Sequence, residues 1–264
     1  MNTLKTMEGK ALNPYSVGSF YCECFFNDML LSSATCFFIK RNGQVYLVTN
    51  YHVLSGRNPE TGETLDKTYA ALPNRIKVYV PQAGIGEEVL LGENEFKFFD
   101  LEEDGNQLWK YTQIKGKIID VAMLKVDIEE KYLINSIEEI EQPLNENTEI
   151  EIASPLYIIG FPFGRIGGVL PIWKKASVAS EPHNTLGDGL PYFWADTATR
   201  SGMSGSPVIY YEKRPFILET NGKRSDRFTK FVGIYSGRIG DEKDAQLGKV
   251  WKPSCIDKIL EMFN

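Results

Sequence analysis

Short runs of β-forming residues, separated by turn signals, recur along most of this chain of 264 residues. The runs are rich in Val, Ile, Tyr and Phe, and glycine-containing turns such as Arg41-Asn42-Gly43 interrupt them. They predict strands over residues 20–26, 35–40, 44–50, 75–80, 95–100, 118–126, 149–153, 157–161, 174–180, 192–197, 206–211 and 231–236. Long helical periodicity is nearly absent. Many short strands in two similar halves favour an all-β chain built from two small barrels or a sandwich.

One amphipathic helix is predicted after Ser254. The apolar stripe that follows this residue consists of Ile256, Ile259, Leu260 and Phe263. Asp257 lies in the first turn, where a carboxylate interacts favourably with the positive end of the helix dipole. We expect a helix that packs against the core and carries no chemistry.

The acidity of the chain is local. The formal net charge is −6, but residues 127–151 hold nine acidic residues and one lysine, so the remainder is about +2. We interpret this stretch as a solvated linker face, and residues 127–148 are the best candidate for a linker between the two halves. The acidic balance argues against a nucleic-acid partner, because phosphate neutralisation needs clustered Lys and Arg.

Metal-binding patterns are missing from the sequence. The histidines are His52 and His183, and no C-x2-C or H-E-x-x-H spacing occurs. We therefore expect no metal and no cofactor. The four cysteines, too few for a disulfide framework, are predicted to be buried thiols, and they are Cys22, Cys24, Cys36 and Cys255. Residues 1–16 lack the apolar core of a signal peptide, and no apolar run reaches eighteen residues. We expect a cytoplasmic protein without a membrane partner.

Three segments bring together the groups of a nucleophilic hydrolase. His52 follows a predicted strand, Asp120 opens an apolar strand, and Ser204 lies between two glycines. Taken singly, each has an ordinary structural explanation as a strand end, a cap or a tight turn. Together they match a chemical need, because a serine hydroxyl requires a base, and an imidazole requires a carboxylate to orient it. Small residues around the serine allow backbone N–H groups to converge on an oxyanion.

The same segments carry a family resemblance. The sequences TNYHV at 49–53, DVAML at 120–124 and GMSGSP at 202–207 are similar to motifs of the trypsin-like, or chymotrypsin-fold, serine peptidases. Weaker similarities are IGFPFG at 159–164, ADT at 195–197 and GIYSG at 233–237. The resemblance covers roughly residues 20–262, and it points to bacterial stand-alone members and to the peptidase domain of the high-temperature-requirement proteases. The chain order His, Asp, Ser is also the order of this family.

The resemblance implies a catalytic role for each of three residues. His52 would be the general base, Asp120 its orienting carboxylate and Ser204 the nucleophile, with the N–H groups of Gly202 and Ser204 forming the oxyanion hole. It also implies two antiparallel six-stranded β-barrels with a short C-terminal helix. The expected domains are residues 1–135, which carry His52 and Asp120, and residues 136–264, which carry Ser204 and the closing helix.

Substrate-binding residues are implied less sharply. By position in the motifs they are Ala198, Thr199, Tyr235, Ser236 and Gly237. Trypsin-type preference for Lys or Arg depends on an Asp where this chain has Ala198. Thr199 resembles glutamate-specific members, but these carry a His where Tyr235 stands. Tyr235 could equally fill the pocket and select small side chains, so the sequence leaves the preference open.

The expected function is a bacterial serine endopeptidase that acts through an acyl-enzyme on a protein or peptide substrate. The alternative from another class is a catalytically silent or partner-gated binding protein on a protease scaffold, which would need a regulatory protein partner. A non-proteolytic esterase that uses the same three residues is a third interpretation.

Overall fold

A computed structural model of the protein describes residues 5–6, 9–84, 88–90, 96–140, 149–166, 168–198, 200–218, 224–238 and 247–263. Strands dominate these ranges, and none of their helices is both long and apolar enough to cross a membrane. Thr199 and residues 141–148 of the predicted linker lie outside the described residues.

The first half of the chain forms a seven-stranded antiparallel sheet. Its strands are β1 (Ser19–Phe26), β2 (Met29–Arg41), β3 (Gln44–Thr49), β4 (Arg75–Tyr79), β5 (Phe96–Asp100), β6 (Trp109–Ile114) and β7 (Lys117–Val126). The spatial order is β6-β7-β3-β2-β1-β4-β5. A short helix, α1 (Tyr51–Ser55), follows β3 directly.

The second half closes into a six-stranded antiparallel barrel. Its strands are β8 (Pro155–Gly160), β9 (Ile172–Val178), β10 (Tyr192–Asp196), β11 (Pro207–Leu218), β12 (Arg224–Arg238) and β13 (Leu247–Trp251). They run in the order β8-β9-β10-β13-β12-β11, and β11 pairs back with β8. Helix α2 (Ser254–Leu260) follows β13 and ends in a 3-10 turn, Glu261–Phe263.

The predicted all-β, chymotrypsin-like architecture with a short C-terminal helix is confirmed. The first half differs in detail from a closed six-stranded barrel. It has seven strands, and its edge strands β5 and β6 do not pair with each other, so the sheet is a half-barrel. The sequence pattern did not predict β6 or β13.

One predicted strand is wrong. Residues 149–153 form no strand, and Ile152 and Ala153 lie in a turn. Ala153 has a φ of 68°, and the N–H of Ser154 donates to the carbonyl of Glu151 (3.1 Å). The N–H of Glu151 in turn donates to the Ser154 hydroxyl (3.0 Å). Alternation of Glu and Ile suggested a half-buried strand, but the local hydrogen bonds of Ser154 compete with sheet pairing.

The core is shared between the two halves. Along β7 the side chains alternate, as expected for a strand, and both faces are buried. Ile119, Val121 and Met123 face a cluster that also contains Ile209 and Ile234 of the barrel. Helix α2 covers the same cluster through its buried residues Cys255, Ile256 and Ile259.

The described part of the acidic stretch exposes most of its acidic side chains and buries apolar ones. Asp127, Glu129, Glu130 and Glu139 are exposed. Ser136 and Ile137 are fully buried, and the N–H of Ile137 donates to the carbonyl of Phe38 (3.1 Å). Glu138 pairs with Arg41 on β2 (2.5 Å). The interpretation as a solvated face is therefore correct for these exposed acidic residues and wrong for Ser136 and Ile137, because the apolar side chains of the segment join the shared core. The domain boundary at residues 135 and 136 stays a prediction.

Candidate active site

His52 and Asp120 form a closely hydrogen-bonded pair. The Nδ1 atom of His52 lies 2.8 Å from Oδ2 of Asp120, and the backbone N–H of His52 donates to Oδ1 of the same carboxylate (2.9 Å). Asp120 is buried, whereas a fifth of the His52 side chain is exposed. The carboxylate therefore fixes the ring through Nδ1, which leaves Nε2 available for proton transfer.

Strand register explains why the two side chains meet. Ala122 on β7 pairs with Thr49 at the end of β3, so Asp120 lies just beyond the point where β3 ends. The chain turns into α1 there, and this turn directs His52 towards Asp120. The buried Asn50 side chain donates to the backbone carbonyl of Asp120 (2.7 Å) and ties the turn to β7. The sequence predicted a strand leading to His52 but did not predict the helix that carries it.

The environment of His52 shifts its pKa upward. Burial alone would lower the pKa, because it disfavours the imidazolium. The charge of Asp120 and its hydrogen bond act in the opposite direction, and the pKa of His52 is raised overall. The pair is therefore suited to stabilise the imidazolium that forms when the ring accepts a proton.

The loop that carries Ser204 requires glycine on both sides. Gly202 has a φ of +94° and Gly205 a φ of +81°, which other residues rarely adopt. A Cβ on Gly202 would lie 2.2 Å from the carbonyl oxygen of Phe161. A Cβ on Gly205 would lie 2.2 Å from the hydroxyl oxygen of Thr49. The close contact with Thr49 also places this loop beside the end of β3, three residues before His52.

Two backbone N–H groups of this loop remain available. The N–H groups of Met203, Gly205 and Ser206 donate to backbone carbonyls of the protein. Within the described ranges, those of Gly202 and Ser204 donate to no protein acceptor. These are the two groups that the sequence resemblance assigned to an oxyanion hole, and their free hydrogen-bonding capacity fits that assignment.

Thr35, which the sequence prediction missed, holds the same loop in place. Its N–H donates to the carbonyl of Ser204 (2.9 Å), and its hydroxyl donates to the carbonyl of Gly202 (2.8 Å). The hydroxyl also accepts from the N–H of Phe161 (3.1 Å), and the carbonyl of Thr35 accepts from the Thr49 hydroxyl (2.8 Å). Thr35 is fully buried at the start of an otherwise apolar run, and that is the signal that could have marked it.

The Ser204 side chain is not hydrogen-bonded to His52. Ser204 is half-buried, and its hydroxyl makes no hydrogen bond with any residue that the structure describes. In the structure, His52 and Asp120 are in contact, and Ser204 lies in the adjoining loop. Catalytic hydrogen bonds are often long in a ligand-free site and tighten when substrate binds.

The predicted substrate-binding residues separate into three places. Tyr235 is buried in the barrel, and a Cβ on Gly248 would lie 2.3 Å from its ring. Ser236 and Gly237 line a cleft together with His52, and the indole N–H of Trp251 donates to the Ser236 hydroxyl (2.9 Å). Ala198 is half-buried, between β10 and the loop that carries Ser204, and Thr199 lies outside the described residues.

Other candidate groups stay apart from the site. His183 is exposed in the loop between β9 and β10. The side chain of Met203, beside Ser204 in the chain, is buried in the barrel core. All four cysteines are free and buried. Over the ranges described, no group of three or more His, Cys, Asp or Glu side chains could hold a metal ion.

Comparison with known proteins identifies the family. The model of the trypsin-like peptidase domain matches residues 34–215. No curated protein sequence matches the chain. Among solved structures, a serine endoprotease from Yersinia pestis is 15% identical with a TM-score of 0.52, over 94% of this chain. An HtrA-type protease solved with a tripeptide is 13% identical with a TM-score of 0.51, over 95% of this chain.

The chain spans 62% of the length of each of these two structures. At such low identity they support the fold, while the family rests on the match over residues 34–215, which is more than half of the chain. The chain belongs to the trypsin-like peptidase family, and its fold resembles that of an HtrA-type protease.

Proposed function

We propose that the protein is an endopeptidase that hydrolyses peptide bonds with the triad His52, Asp120 and Ser204, through an acyl-enzyme. One observation carries the proposal. The Asp120 carboxylate orients His52 through Nδ1, beside a loop whose Gly202 and Ser204 N–H groups donate to no described protein acceptor. A base, a nucleophile and two oxyanion donors therefore lie in adjoining segments of one site.

The first half of the reaction forms the ester. The Ser204 oxygen attacks the carbonyl carbon of the scissile bond while Nε2 of His52 takes the hydroxyl proton. The negative charge that develops on the carbonyl oxygen accepts hydrogen bonds from the N–H groups of Gly202 and Ser204. The carbon–nitrogen bond then breaks, and His52 gives its proton to the leaving amine.

The second half releases the acid. A water molecule attacks the acyl carbon, and His52 takes one of its protons. The bond between the acyl carbon and the Ser204 oxygen breaks, and His52 returns the proton to that oxygen. Asp120 stays ionised throughout and stabilises the imidazolium formed in each half-reaction.

The test is substitution of the nucleophile. In Ser204→Ala we expect peptide cleavage to fall by about 10⁴–10⁶-fold with unchanged folding, and a serine-reactive fluorophosphonate probe to label only the unsubstituted protein. Ser201→Ala is the matched control, because Ser201 is an exposed serine three residues away and should keep both activities. Undiminished peptide cleavage by Ser204→Ala would contradict the assignment of Ser204 as the nucleophile.

A second candidate function is a partner-gated or silent binding protein on the same scaffold. The observation in its favour is that the Ser204 hydroxyl makes no hydrogen bond to His52 within the described structure. A well-folded sample that the fluorophosphonate probe does not label would support it. Labelling together with turnover of small esters, but of no peptide in a diverse library, would instead support an esterase.

We also propose that the protein acts in the bacterial cytoplasm. The support is the set of four free, buried cysteines, which suits a reducing compartment. Fractionation of the source cells with antibodies to this chain tests the location, and recovery outside the cytoplasmic fraction would contradict it.

A further inference from the structure

A deep cleft opens beside the catalytic pair, with a volume of about 930 Å³. His52 and Asp120 line it at one end. Residues 58–62, in the loop after α1, form the wall from the first half of the chain. The barrel contributes Ser236, Gly237, Lys249 and Trp251. A peptide whose scissile bond lies at His52 therefore has a path along side chains of both halves.

Lys249 presents a positive charge to this cleft. It lies on β13, opposite Trp194 on β10, and its ammonium is 5.7 Å from the ring centroid of Trp194. The ring centroids of Tyr192 and Trp251 are 4.9 and 5.4 Å from the same nitrogen. Only 22% of the side chain is exposed. The aromatic faces stabilise the cation but accept no conventional hydrogen bond, so its N–H groups still require an acceptor.

The partner that Lys249 has in this structure is weakly held. Oε1 of Glu60 lies 3.5 Å from the ammonium, but 79% of the Glu60 side chain is exposed. An exposed carboxylate keeps much of its hydration, so such a pair contributes little. The two other cleft carboxylates already accept hydrogen bonds. Asp120 accepts from the N–H of His52 (2.9 Å), and Asp188 accepts from the Tyr192 hydroxyl (3.1 Å) and the N–H of Leu190 (3.0 Å).

A carboxylate on the substrate could replace Glu60. Substrate binding would cover the ammonium of Lys249 and exclude water, which strengthens a charge pair. The exposed Lys117 also lines the cleft and makes no ion pair with any described residue. It adds a second positive charge for an acidic side chain. A basic substrate side chain would find Asp188 already hydrogen-bonded and Lys249 repulsive.

We propose that Lys249 forms a substrate subsite that binds an Asp or Glu side chain a few residues from the scissile bond, displacing Glu60. The substrate class is thus peptides with a carboxylate at one fixed position beside the cleavage site. This inference rests on the proposed function for its catalytic part. Glu60 acts as an internal competitor that occupies the subsite when no substrate is bound.

Paired peptides test the subsite. Cleavage-site profiling of a diverse peptide pool gives the position, and two peptides are then compared that differ there only as Glu and Gln. We expect kcat/KM to favour the Glu peptide about five- to tenfold. Lys249→Met should remove this preference, so that the Glu and Gln peptides have equal kcat/KM, whereas Lys249→Arg should retain it. Glu60→Gln should lower KM for the Glu peptide.

The matched control is Lys97→Met. Lys97 is equally buried (23% exposed) and also pairs with a glutamate, Glu129 at 2.8 Å, but it lies outside the cleft. We expect it to keep the full preference for Glu. A wild-type protein that favours neither peptide, or favours Lys or Arg at that position, would overturn the proposal. So would a Glu preference that survives Lys249→Met.

Binding separates this proposal from the proposed function. The Ser204→Ala protein, alone or combined with Lys249→Met, is titrated with the fluorescein-labelled Glu and Gln peptides and followed by anisotropy. Tighter binding of the Glu peptide that depends on Lys249 supports the subsite even if the wild-type protein cleaves nothing. Cleavage by the wild-type protein with equal affinity for both peptides would support the endopeptidase and reject the subsite.

Discussion

Removal of the Thr35 hydroxyl tests whether this residue positions the loop that carries Ser204. Thr35→Val removes that hydroxyl and replaces it with a methyl group of similar size. The carbonyl of Gly202 and the N–H of Phe161, which are the buried partners of this hydroxyl, then lose their hydrogen bonds to it. The backbone bond from Thr35 to the carbonyl of Ser204 is retained. The substitution therefore loosens Gly202 while it leaves Ser204 anchored.

The expected size follows from these contacts. A buried group left without its partner costs about 1–3 kcal/mol, so the two together should lower the free energy of unfolding by about 2–6 kcal/mol. Complete loss of one oxyanion donor typically reduces kcat by about 10²–10³-fold. Because Gly202 keeps its N–H and loses only the bond at its carbonyl, we expect a smaller fall in kcat, about 10- to 100-fold, with little change in KM.

The assay needs three measurements on Thr35→Val and on the control Thr35→Ser. Urea unfolding gives the stability, peptide hydrolysis gives kcat and KM, and the rate of fluorophosphonate labelling reports the nucleophile directly. Thr35→Ser keeps the hydroxyl and should retain kcat within about threefold. A Thr35→Val protein that is less stable but has an unchanged kcat would show that Thr35 supports only folding, and the positioning argument would be refuted.

Three further outcomes follow from the site geometry. Asp120→Asn should lower kcat by about 10⁴-fold. It should also move the acid limb of the pH profile of kcat/KM to lower pH, because burial then acts on His52 without an opposing charge and lowers its pKa. Gly202→Ala should lose about 2–4 kcal/mol of stability, measured by urea unfolding, because its Cβ would collide with the carbonyl of Phe161. Tyr235→Val should change the selectivity for the residue before the scissile bond. The ratio of kcat/KM for a Leu peptide to kcat/KM for an Ala peptide should rise by about tenfold or more, since the ring no longer fills the barrel interior.

Each of these outcomes can be contradicted. An acid limb that stays in place in Asp120→Asn would mean that the carboxylate does not set the pKa of His52. Normal stability of Gly202→Ala would show that the loop relaxes away from Phe161. Unchanged selectivity of Tyr235→Val, in a variant that circular dichroism shows to be folded, would place the substrate side chain elsewhere.

The proposed catalytic residues could be predicted from the sequence because each lies in a short local motif. His52, Asp120 and Ser204 are recognisable from their immediate neighbours, and their chain order adds information. Thr35 has no such motif, because its role depends on a contact with Gly202, 167 residues away. Local sequence patterns do not indicate which distant carbonyl a hydroxyl will contact in the folded protein.

The strand prediction failed where local patterns conflict with tertiary context. Strand β13 contains Gly248 and Lys249, which are poor strand formers, yet it is paired on both sides in the closed barrel. Residues 149–153 alternate like a strand but form no strand, because Ser154 supplies local hydrogen bonds. The packed position of Ile137 was hidden by the acidic residues around it.

The shared core has a consequence for how activity responds to denaturation. His52 and Asp120 belong to the first half of the chain and Ser204 to the second half, and one apolar cluster joins both halves. Neither half can bury its side of that cluster alone, so the two should melt in a single cooperative transition. Catalysis would then report on the folded population of the whole chain, and its loss in denaturant would coincide with the loss of secondary structure instead of preceding it.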